Sequence, residues 1–299
     1  MSAPFDRPTL RRRRDRAAAR LGDFDFLLRE VGERLLDRLA DIRRAFPLAV
    51  DLGGHTGQLA AMLDGRGGIE RLVTCDLSPR MAALAPHPCI ACDEEVLPFA
   101  DASLDLVLSS FSLHWVNDLP GALIQIRRAL KPDGLFLAAM AGGETLKELR
   151  WALTEAEIAG EGGLSPRLSP VVDVRDMGDL LGRAGFALPV ADSETITVSY
   201  ADPLRLMADL RGMGESNAVA ERRRTPLRRA TLIDAVARYR ERYADADGRV
   251  PATFQIVYLT GWAPHAEQPK ALRPGSGQTR LAEALGSVEI SAGEKARPR

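Results

Sequence analysis

The chain is predicted to fold as an α/β domain, with a parallel sheet covered by helices on both faces. Two observations predict this fold: short apolar segments alternate with helix-spaced segments, and the first apolar segment runs into a glycine-rich turn. The predicted strands cover 48–52, 71–76, 89–92, 104–109, 135–140, 195–200 and 254–262.

Helical spacing of apolar residues predicts the segments around these strands. Helices between strands are predicted at 58–63, 78–84, 119–130, 144–159 and 174–185. Two more segments, 9–20 and 26–39, precede the first strand. They are predicted to form an N-terminal helical cap within residues 1–45.

Residues 203–247 also look helical, with a polar, glycine-containing stretch at 212–217. Because this block is too long for a hairpin loop, it is interpreted as a helical lid inserted at about 201–250 into a main domain of 46–265. Residues 266–299 carry Pro, Gly and Lys without periodicity and are predicted to form a flexible tail.

Composition indicates a globular chain without a strong overall charge. Of its 299 residues 45% are hydrophobic, and the formal net charge is −1. Such a balance supplies a sizeable core and gives no overall field that attracts nucleic acid. No apolar run approaches the ~20 residues of a membrane-spanning helix. Neither a nucleic-acid partner nor a transmembrane segment is expected.

Arginines cluster near the N-terminus, at residues 11–14 and 16. Mitochondrial transit peptides are Arg-rich but poor in acidic residues, whereas Asp6, Asp15 and Asp23 interrupt this run. The run is therefore interpreted as the solvated end of a helix, and a cytoplasmic location is expected.

Cys89 and Cys92 form a C-x-x-C pair in the third predicted strand. Side chains three residues apart in a strand point to opposite faces, which disfavours a shared metal ion or a redox pair. No metal site is predicted, and both cysteines are interpreted as small buried hydrophobes.

The strongest functional signal is the sequence D-L-G-G-H-T-G at 51–57, directly after the first strand. Gly53 and Gly57 would let the backbone approach a ligand closely, at the sheet edge where open α/β sheets bind ligands. Twenty-five residues after Asp51, the second strand ends in Asp76. A carboxylate there can accept both hydroxyls of a ribose.

Asp51, the acidic residue at the start of the turn, distinguishes between two kinds of ligand. A dinucleotide site uses G-x-G-x-x-G with a pyrophosphate at the helix N-terminus, and Asp51 would repel a pyrophosphate. A carboxylate suits a ligand that carries an ammonium group and no phosphate, such as S-adenosylmethionine. After the third strand, Asp93 and Glu94 can receive the adenine amino group of that ligand, with Leu97 and Phe99 as apolar contacts.

Taken together, these motifs resemble those of class I S-adenosylmethionine-dependent methyltransferases. The matching pieces are D-L-G-x-x-x-G at 51–57, Asp76, D-x-E-x-L-P-F at 93–99 and S-L-D-L-V-L-S-S at 103–110. The resemblance implies their Rossmann-like, seven-stranded α/β fold and S-adenosylmethionine as cofactor.

The same resemblance assigns the cofactor-binding residues. They are Asp51, Gly53 and Gly57 for the methionine part, Asp76 for the ribose, and Asp93 with Glu94 for the adenine. One position departs from the family, since His55 stands in place of its middle glycine. This side chain would obstruct the ligand, shift the turn or point away.

Longer stretches outside the core narrow the resemblance. They are S-L-H-W-V-N-D-L-P at 112–120, G-G-E-T-L at 142–146, G-M-G-E-S-N at 212–217 and V-P-A-T-F-Q-I at 250–256. With them the chain resembles the assembly factor five family of respiratory complex I and its bacterial relatives. This implies an enzyme that modifies an arginine of a complex I subunit, by hydroxylation rather than methylation in that family.

The residues themselves leave the reaction open. The sequence gives no independent support for an oxidation, and methyl transfer needs mainly alignment of donor and acceptor. A more distant resemblance, to the malonyl-carrier-protein O-methyltransferases, implies O-methylation of a carboxylate on a small molecule or a carrier-protein thioester. A non-catalytic assembly chaperone is the third alternative, which His55 favours.

Candidate catalytic and substrate-binding residues lie beyond the fourth strand and in the lid. His114 and Trp115 follow that strand at the edge where substrates enter, although a helix-entry hydrogen bond and a core anchor are their structural alternatives. Glu144, Glu215 and Asn217 are candidate substrate ligands, because carboxylates match the fork of a guanidinium. A plain turn between helices is the alternative for the last two.

Overall fold

Seven strands form one sheet in the computed structural model of the chain. They are β1 (Leu48–Leu52), β2 (Arg71–Asp76), β3 (Cys89–Ala91), β4 (Leu104–Ser110), β5 (Leu130–Ala141), β6 (Ala187–Tyr200) and β7 (Val250–Trp262). Their order is β3-β2-β1-β4-β5-β7-β6, with β1 to β5 parallel and β7 antiparallel to both its neighbours. The predicted seven-stranded α/β sheet is confirmed.

Helices cover both faces of this sheet. The α-helices of the main part are α1 (Arg7–Ala17), α2 (Phe26–Ala40), α3 (Gln58–Met62), α4 (Pro79–Ala82), α5 (Leu119–Ala129), α6 (Lys147–Glu161), α7 (Val174–Arg183), α8 (Pro203–Gly212) and α9 (Arg229–Tyr243). Short 3-10 helices lie at Ala18–Asp23, Arg66–Gly68 and Leu113–Trp115. No helix among the described residues is long and apolar enough to cross a bilayer.

The structure describes residues 3–169, 173–269, 279–288 and 290. It divides into two compact units, Met1–Pro264 and His265–Arg299. The second unit contains α10 (Leu281–Leu285). Much of the tail predicted for 266–299 lies outside the described residues, so its flexibility stays a prediction.

Side chains of the central strands alternate between two core layers. On β4, Leu106 and Leu108 belong to the layer formed with α2, α6 and α9, whereas Val107 packs on the opposite face with α5 and α7. Strands buried on both faces are expected to be nearly continuous apolar runs. Polar functional groups are therefore confined to the strand ends and to the loops that follow them.

Helix α1 turns two of its arginines inward. Asp6 caps the helix by accepting from Thr9 N at 2.9 Å, and the buried residues Arg7, Leu10 and Arg14 recur at helical spacing. The interpretation of the arginine run as a solvated helix end is therefore wrong for Arg14, which is 0% exposed. Residues that recur at helical spacing lie on one face of the helix, and the buried face of α1 includes Arg7 and Arg14.

The region between β6 and β7 differs from the predicted helical block of 203–247. Helix α8 ends at Gly212, α9 begins at Arg229, and the chain between them is not helical. This connection pairs with the N-terminal segment: Asp6 N donates to Ala218 O, and Ala220 N to Pro4 O, both at 2.8 Å. Local periodicity carries no information about so distant a partner.

Strand β6 begins well before the predicted strand of 195–200. It pairs with β7 in antiparallel register from Ala187↔Trp262 to Tyr200↔Val250, with an irregularity near its start. Because β6 is an edge strand with largely exposed side chains in its first half, the apolar alternation is visible only in its second half.

Close packing at the end of α8 allows a direct test of the N-terminal docking. A Cβ on Gly212 would lie 2.3 Å from Cγ of Phe24, so Gly212→Ala is expected to destabilise the fold by about 1–3 kcal/mol. Gly182→Ala in α7 is the matched control, since nothing lies within 4 Å of its Cβ position and helix propensity favours alanine by up to about 1 kcal/mol. Urea unfolding measures both changes. An unfolding midpoint for Gly212→Ala at or above that of the wild type would contradict the packing.

Candidate functional site

The turn after β1 places glycines where no side chain fits. Gly53 adopts a φ of +73°, and a Cβ there would lie 2.1 Å from Ser112 Oγ. A Cβ on Gly54 would lie 2.4 Å from an Asp51 carboxylate oxygen. The N–H groups of both glycines donate to Cys75 O at 2.8 Å. The turn thus joins the ends of β1 and β2, at the edge where open α/β sheets bind ligands.

Asp51 is a buried carboxylate without a donor. Asp51 is 0% exposed, and neither of its carboxylate oxygens has a hydrogen-bond partner among the described residues. Burial, and then the nearby charge of Asp76, raise its pKa to about 8. A small cavity of about 10 Å³ adjoins it, next to Leu28, His55 and Gln58. A cationic ligand group would satisfy such a carboxylate.

His55 and Gly57 keep the turn in left-handed backbone conformations. His55 has a φ of +52° and Gly57 of +88°, and His55 N donates to Asp76 Oδ2 at 3.1 Å. Burial, and then the charge of Arg14, lower the pKa of the His55 ring to about 3. The imidazole is therefore neutral, and it lines the same small cavity as Asp51.

Arg14 reaches from α1 into the centre of the site. Its Nη1 lies 3.3 Å from Asp76 Oδ2 and 3.4 Å from Glu94 Oε1, while Nη2 lies 3.2 Å from Ser112 Oγ and 3.8 Å from Glu215 Oε1. Burial alone would lower the pKa of this guanidinium, but the surrounding carboxylates raise it. Arg14 is therefore a fixed positive charge among three acidic side chains.

Arg7 binds the two carboxylates that follow β3. Its Nη2 donates to Asp93 Oδ1 at 2.5 Å and also to Glu94. Burial would raise the pKa of Glu94, but Arg7 and Arg14 together with Ser112 lower it to about 2. Asp93 and Glu94, the two residues predicted to bind adenine, are thus both hydrogen-bonded to Arg7 of α1.

Asp76, the predicted ribose ligand, is also enclosed. Its Oδ1 accepts from Ser78 N at 2.7 Å, and its Oδ2 from His55 N and Arg14. Burial raises the pKa of Asp76 to about 6, against the opposing effect of Arg14. A ribose that binds here has to share this carboxylate with Arg14 or displace it.

On the other side of Arg14, His114 and Trp115 hold Glu215. Trp115 Nε1 donates to Glu215 Oε2 at 2.5 Å, and His114 Nε2 lies 3.1 Å from the same oxygen. The Glu215 side chain is 4% exposed, and its Oε1 has no hydrogen-bond partner among the described residues. Burial would raise the pKa of Glu215, but His114 and Arg14 lower it. The site therefore contains an ionised carboxylate whose Oε1, among the described residues, has only the ion pair with Arg14 Nη2 at 3.8 Å.

A largely apolar pocket of about 60 Å³ adjoins this carboxylate. It is lined by Phe111, His114, Trp115, Ala141, Thr145, Leu146, Arg150, Leu168, Ser169, Leu210, Glu215, Asn217 and Phe254. Asn217 is anchored there, because its Nδ2 donates to Pro166 O at 2.7 Å. Glu144 is not brought to the pocket: its side chain is 61% exposed and pairs with Lys147 at 3.2 Å.

Sequence reasoning missed Arg7, Arg14 and Ser112 as members of the site. The available signal was the spacing of Arg7, Leu10, Arg14 and Ala17, which places both arginines on the apolar stripe of α1. For Ser112 the sequence offers no comparable signal, since its contacts with Arg14 and Glu94 depend on the chain fold.

Comparison with known proteins places the chain among related enzymes. Residues 50–138 match the model described as a methyltransferase domain. "Arginine-hydroxylase NDUFAF5, mitochondrial" from Danio rerio is 47% identical over 286 residues, which cover 93% of this chain and 88% of that protein. The chain belongs to the NDUFAF5 family of class I methyltransferases.

The matches also include more distant relatives. A malonyl-[acyl-carrier protein] O-methyltransferase from Halorhodospira halophila is 36% identical over 285 residues, covering 93% of the chain and 94% of that enzyme. The YcgJ protein of Bacillus subtilis has a TM-score of 0.54 at 13% identity, covering 78% and 99% of the two chains, a likeness of fold alone. Both predicted resemblances and the class I fold are thereby confirmed, and this NDUFAF5-family chain is an enzyme of the methyltransferase family.

The expected cytoplasmic location is contradicted. The NDUFAF5 relatives from Danio rerio, Mus musculus and Homo sapiens are all named mitochondrial. The acidic residues that argued against a transit peptide belong to a folded helix: Asp6 caps α1 and pairs with Arg222. Their presence therefore says nothing about targeting.

The unpaired carboxylate of Asp51 predicts a pH-dependent stability. Because its folded pKa of about 8 lies above the ordinary 3.8, ionisation costs the folded state stability as the pH rises between these values. Asp51→Asn removes this cost, so its unfolding free energy relative to wild type should rise by about 2–4 kcal/mol from pH 5 to pH 8. Asp101→Asn, at an exposed aspartate, is the control. A difference between Asp51→Asn and wild type that stays constant with pH would refute the assignment.

Proposed function

We propose that this enzyme binds S-adenosylmethionine at the ends of β1 and β2 and modifies an arginine of a respiratory complex I subunit held in the adjoining pocket. The observation that carries this proposal is Glu215, an ionised carboxylate at the wall of a largely apolar pocket, whose Oε1 accepts no hydrogen bond among the described residues and lies 3.8 Å from Arg14 Nη2. The name of the Danio rerio relative, an arginine-hydroxylase, supports the same substrate class.

The residues fit the cofactor with one condition. Asp51 matches an ammonium group such as that of the methionine part, and the turn at Gly53 and Gly57 has no room for further side chains. Asp76 would accept from the ribose, while Asp93 and Glu94 would face the adenine. When bound, the cofactor would supply an electrophilic methyl group on a sulfonium. The condition is that Arg14 gives up or shares its contacts with Asp76 and Glu94, and that Arg7 does the same for Asp93 and Glu94.

The substrate pocket suits a guanidinium. Carboxylates bind this planar group through parallel hydrogen bonds, and His114 with Trp115 fixes Glu215 by occupying its other oxygen. These two residues are therefore assigned to positioning Glu215 rather than to proton transfer. Asn217 anchors the same loop, and Glu144 has no part in the proposed site.

Arginine hydroxylation and arginine methylation place the same demand on this pocket. Both need the guanidinium side chain held and aligned, a contribution that depends on geometry rather than on the reacting group. Hydroxylation adds one oxygen atom to the arginine and methylation adds one methylene unit, so the two products differ in mass. Mass spectrometry of the modified subunit separates them.

A second function is favoured by Arg150. This residue lines the pocket, and its Nη2 donates to Ser169 O at 3.1 Å. A half-buried guanidinium is a ready partner for a substrate carboxylate, as O-methylation of a carrier-protein thioester would require. The relative from Halorhodospira halophila carries the name of such an enzyme.

Cofactor binding is the first test. Calorimetric titration of the wild type with S-adenosylmethionine is expected to give saturable binding, weakened at least about tenfold in Asp76→Asn through the lost charged hydrogen bonds. Asp101→Asn, at an exposed position with a side chain 66% accessible, should bind as the wild type does. No binding by the wild type would refute the cofactor proposal and favour a non-catalytic assembly role.

Glu215 and Glu144 form a matched pair for the substrate. Glu215→Gln loses the charge that holds the guanidinium, so turnover on the isolated subunit should fall by about tenfold or more, with S-adenosylmethionine affinity within about threefold of wild type. Glu144→Gln should leave both unchanged. Loss of cofactor affinity in Glu215→Gln, or equal turnover in the two variants, would contradict the assignment.

A further inference from the structure

An arginine-rich cleft of about 580 Å³ opens beside the substrate pocket. Its walls carry seven arginines and two acidic residues: Arg12, Arg13, Arg167, Arg211, Arg222, Arg223, Arg224, Asp6 and Glu215. The chain as a whole has a net charge of −1. Three of the seven arginines are ion-paired, Arg167 with Glu157, Arg222 with Asp6 and Arg223 with Glu161, and the other four leave an excess of positive charge at the cleft.

Several of these arginines have no acidic partner. The side chains of Arg211 and Arg224 are exposed and make no hydrogen bond or ion pair within the described part of the chain. Arg12 donates only to the hydroxyl of Thr9. Burial, and then the charge of Arg222, lower the pKa of Arg13, which reflects like charges held close together. An anionic partner would relieve this crowding.

The cleft and the substrate pocket are continuous. Four residues line both: Leu168, Leu210, Glu215 and Asn217. A ligand seated in the cleft thus lies next to Glu215. The remaining floor is aliphatic, with Leu149 and Leu153 of α6 and Met207 of α8.

We propose that this cleft docks an acidic polypeptide segment of the protein substrate, adjacent to the arginine that enters the pocket. The inference rests on the proposed function and adds the sequence context of the target. A cationic side chain approaching Glu215 has to pass the arginines of the cleft, and acidic flanking residues offset that repulsion. Free arginine and basic segments are thereby excluded.

The lining favours a polypeptide over a nucleic acid. Single-stranded nucleic acids bind grooves that combine positive charge with aromatic side chains for base stacking. The described lining of this cleft contains aliphatic and polar side chains but no aromatic one. Its aliphatic floor suits the apolar side chains of a peptide.

Two double variants with the same change in charge test the docking. Arg211→Glu with Arg224→Glu reverses two unpaired charges of the cleft. Arg175→Glu with Arg183→Glu reverses two exposed arginines of α7, which lie outside the cleft lining. The probes are fluorescent peptides with a central arginine flanked by glutamates, glutamines or lysines, and binding to the full chain is followed by anisotropy.

The glutamate-flanked peptide is expected to bind the wild type at least about tenfold more tightly than the glutamine-flanked one. The cleft variant should lose about tenfold in affinity for it, and the α7 variant less than about twofold. The lysine-flanked peptide should bind the cleft variant more tightly than the wild type, which a misfolded variant would not do. Equal binding of acidic and neutral peptides, equal losses in the two variants, or tighter binding of a single-stranded RNA oligonucleotide would overturn the proposal.

Docking and function fail in distinguishable ways. An acidic peptide that docks normally on an enzyme that modifies no arginine upholds the docking surface and removes the proposed function. A cleft variant that modifies the subunit with unchanged kcat/KM removes the docking surface and leaves the function intact.

Discussion

The buried charge cluster around Arg14 is the constraint on which the site depends. One guanidinium, 0% exposed, lies among Asp76, Glu94 and Glu215. Buried charges are tolerated only when they are paired and hydrogen-bonded, and removing one member of a buried pair costs about 3–5 kcal/mol. The cluster therefore requires α1 to stay on the carboxyl edge of the sheet, and it links the N-terminal helix to the ends of β2 and β4 and to the loop after α8.

Because Arg14 contacts both halves of the site, the cluster couples them. Asp76 and Glu94 belong to the proposed cofactor half, whereas Glu215 belongs to the substrate half. In our proposal, a cofactor that takes Asp76 leaves Arg14 nearer to Glu215, and this changes the charge that the substrate meets. Asp51 is the opposite case, since it has no internal partner and is left for a ligand cation. Asp76 is thus paired inside the protein, whereas Asp51 is left unpaired among the described residues.

The parts of this picture that were predictable from sequence are those with local causes. The runs at β1, β2 and β4 gave strands, and parallel strands bring Asp51 and Asp76 to one edge. Arg14 was not recognised, because its partners lie 62 and 80 residues away in the chain and a run of arginines resembles a solvated surface. The loop between α8 and α9 was missed for the same reason, since its hydrogen bonds go to Pro4 and Asp6. Contacts between residues that are far apart in the sequence leave no periodic pattern in the local sequence.

A double-mutant cycle on Arg14 and Glu94 tests the central claim most directly. Arg14→Met keeps a long side chain without the charge, and Glu94→Gln keeps the shape of its partner. If the buried cluster holds the N-terminal helix on the sheet, urea unfolding of the two single variants and the double variant will give a coupling energy of about 2–3 kcal/mol. Additivity to within about 0.5 kcal/mol would mean that the two side chains do not stabilise each other, and the account of the site would be wrong.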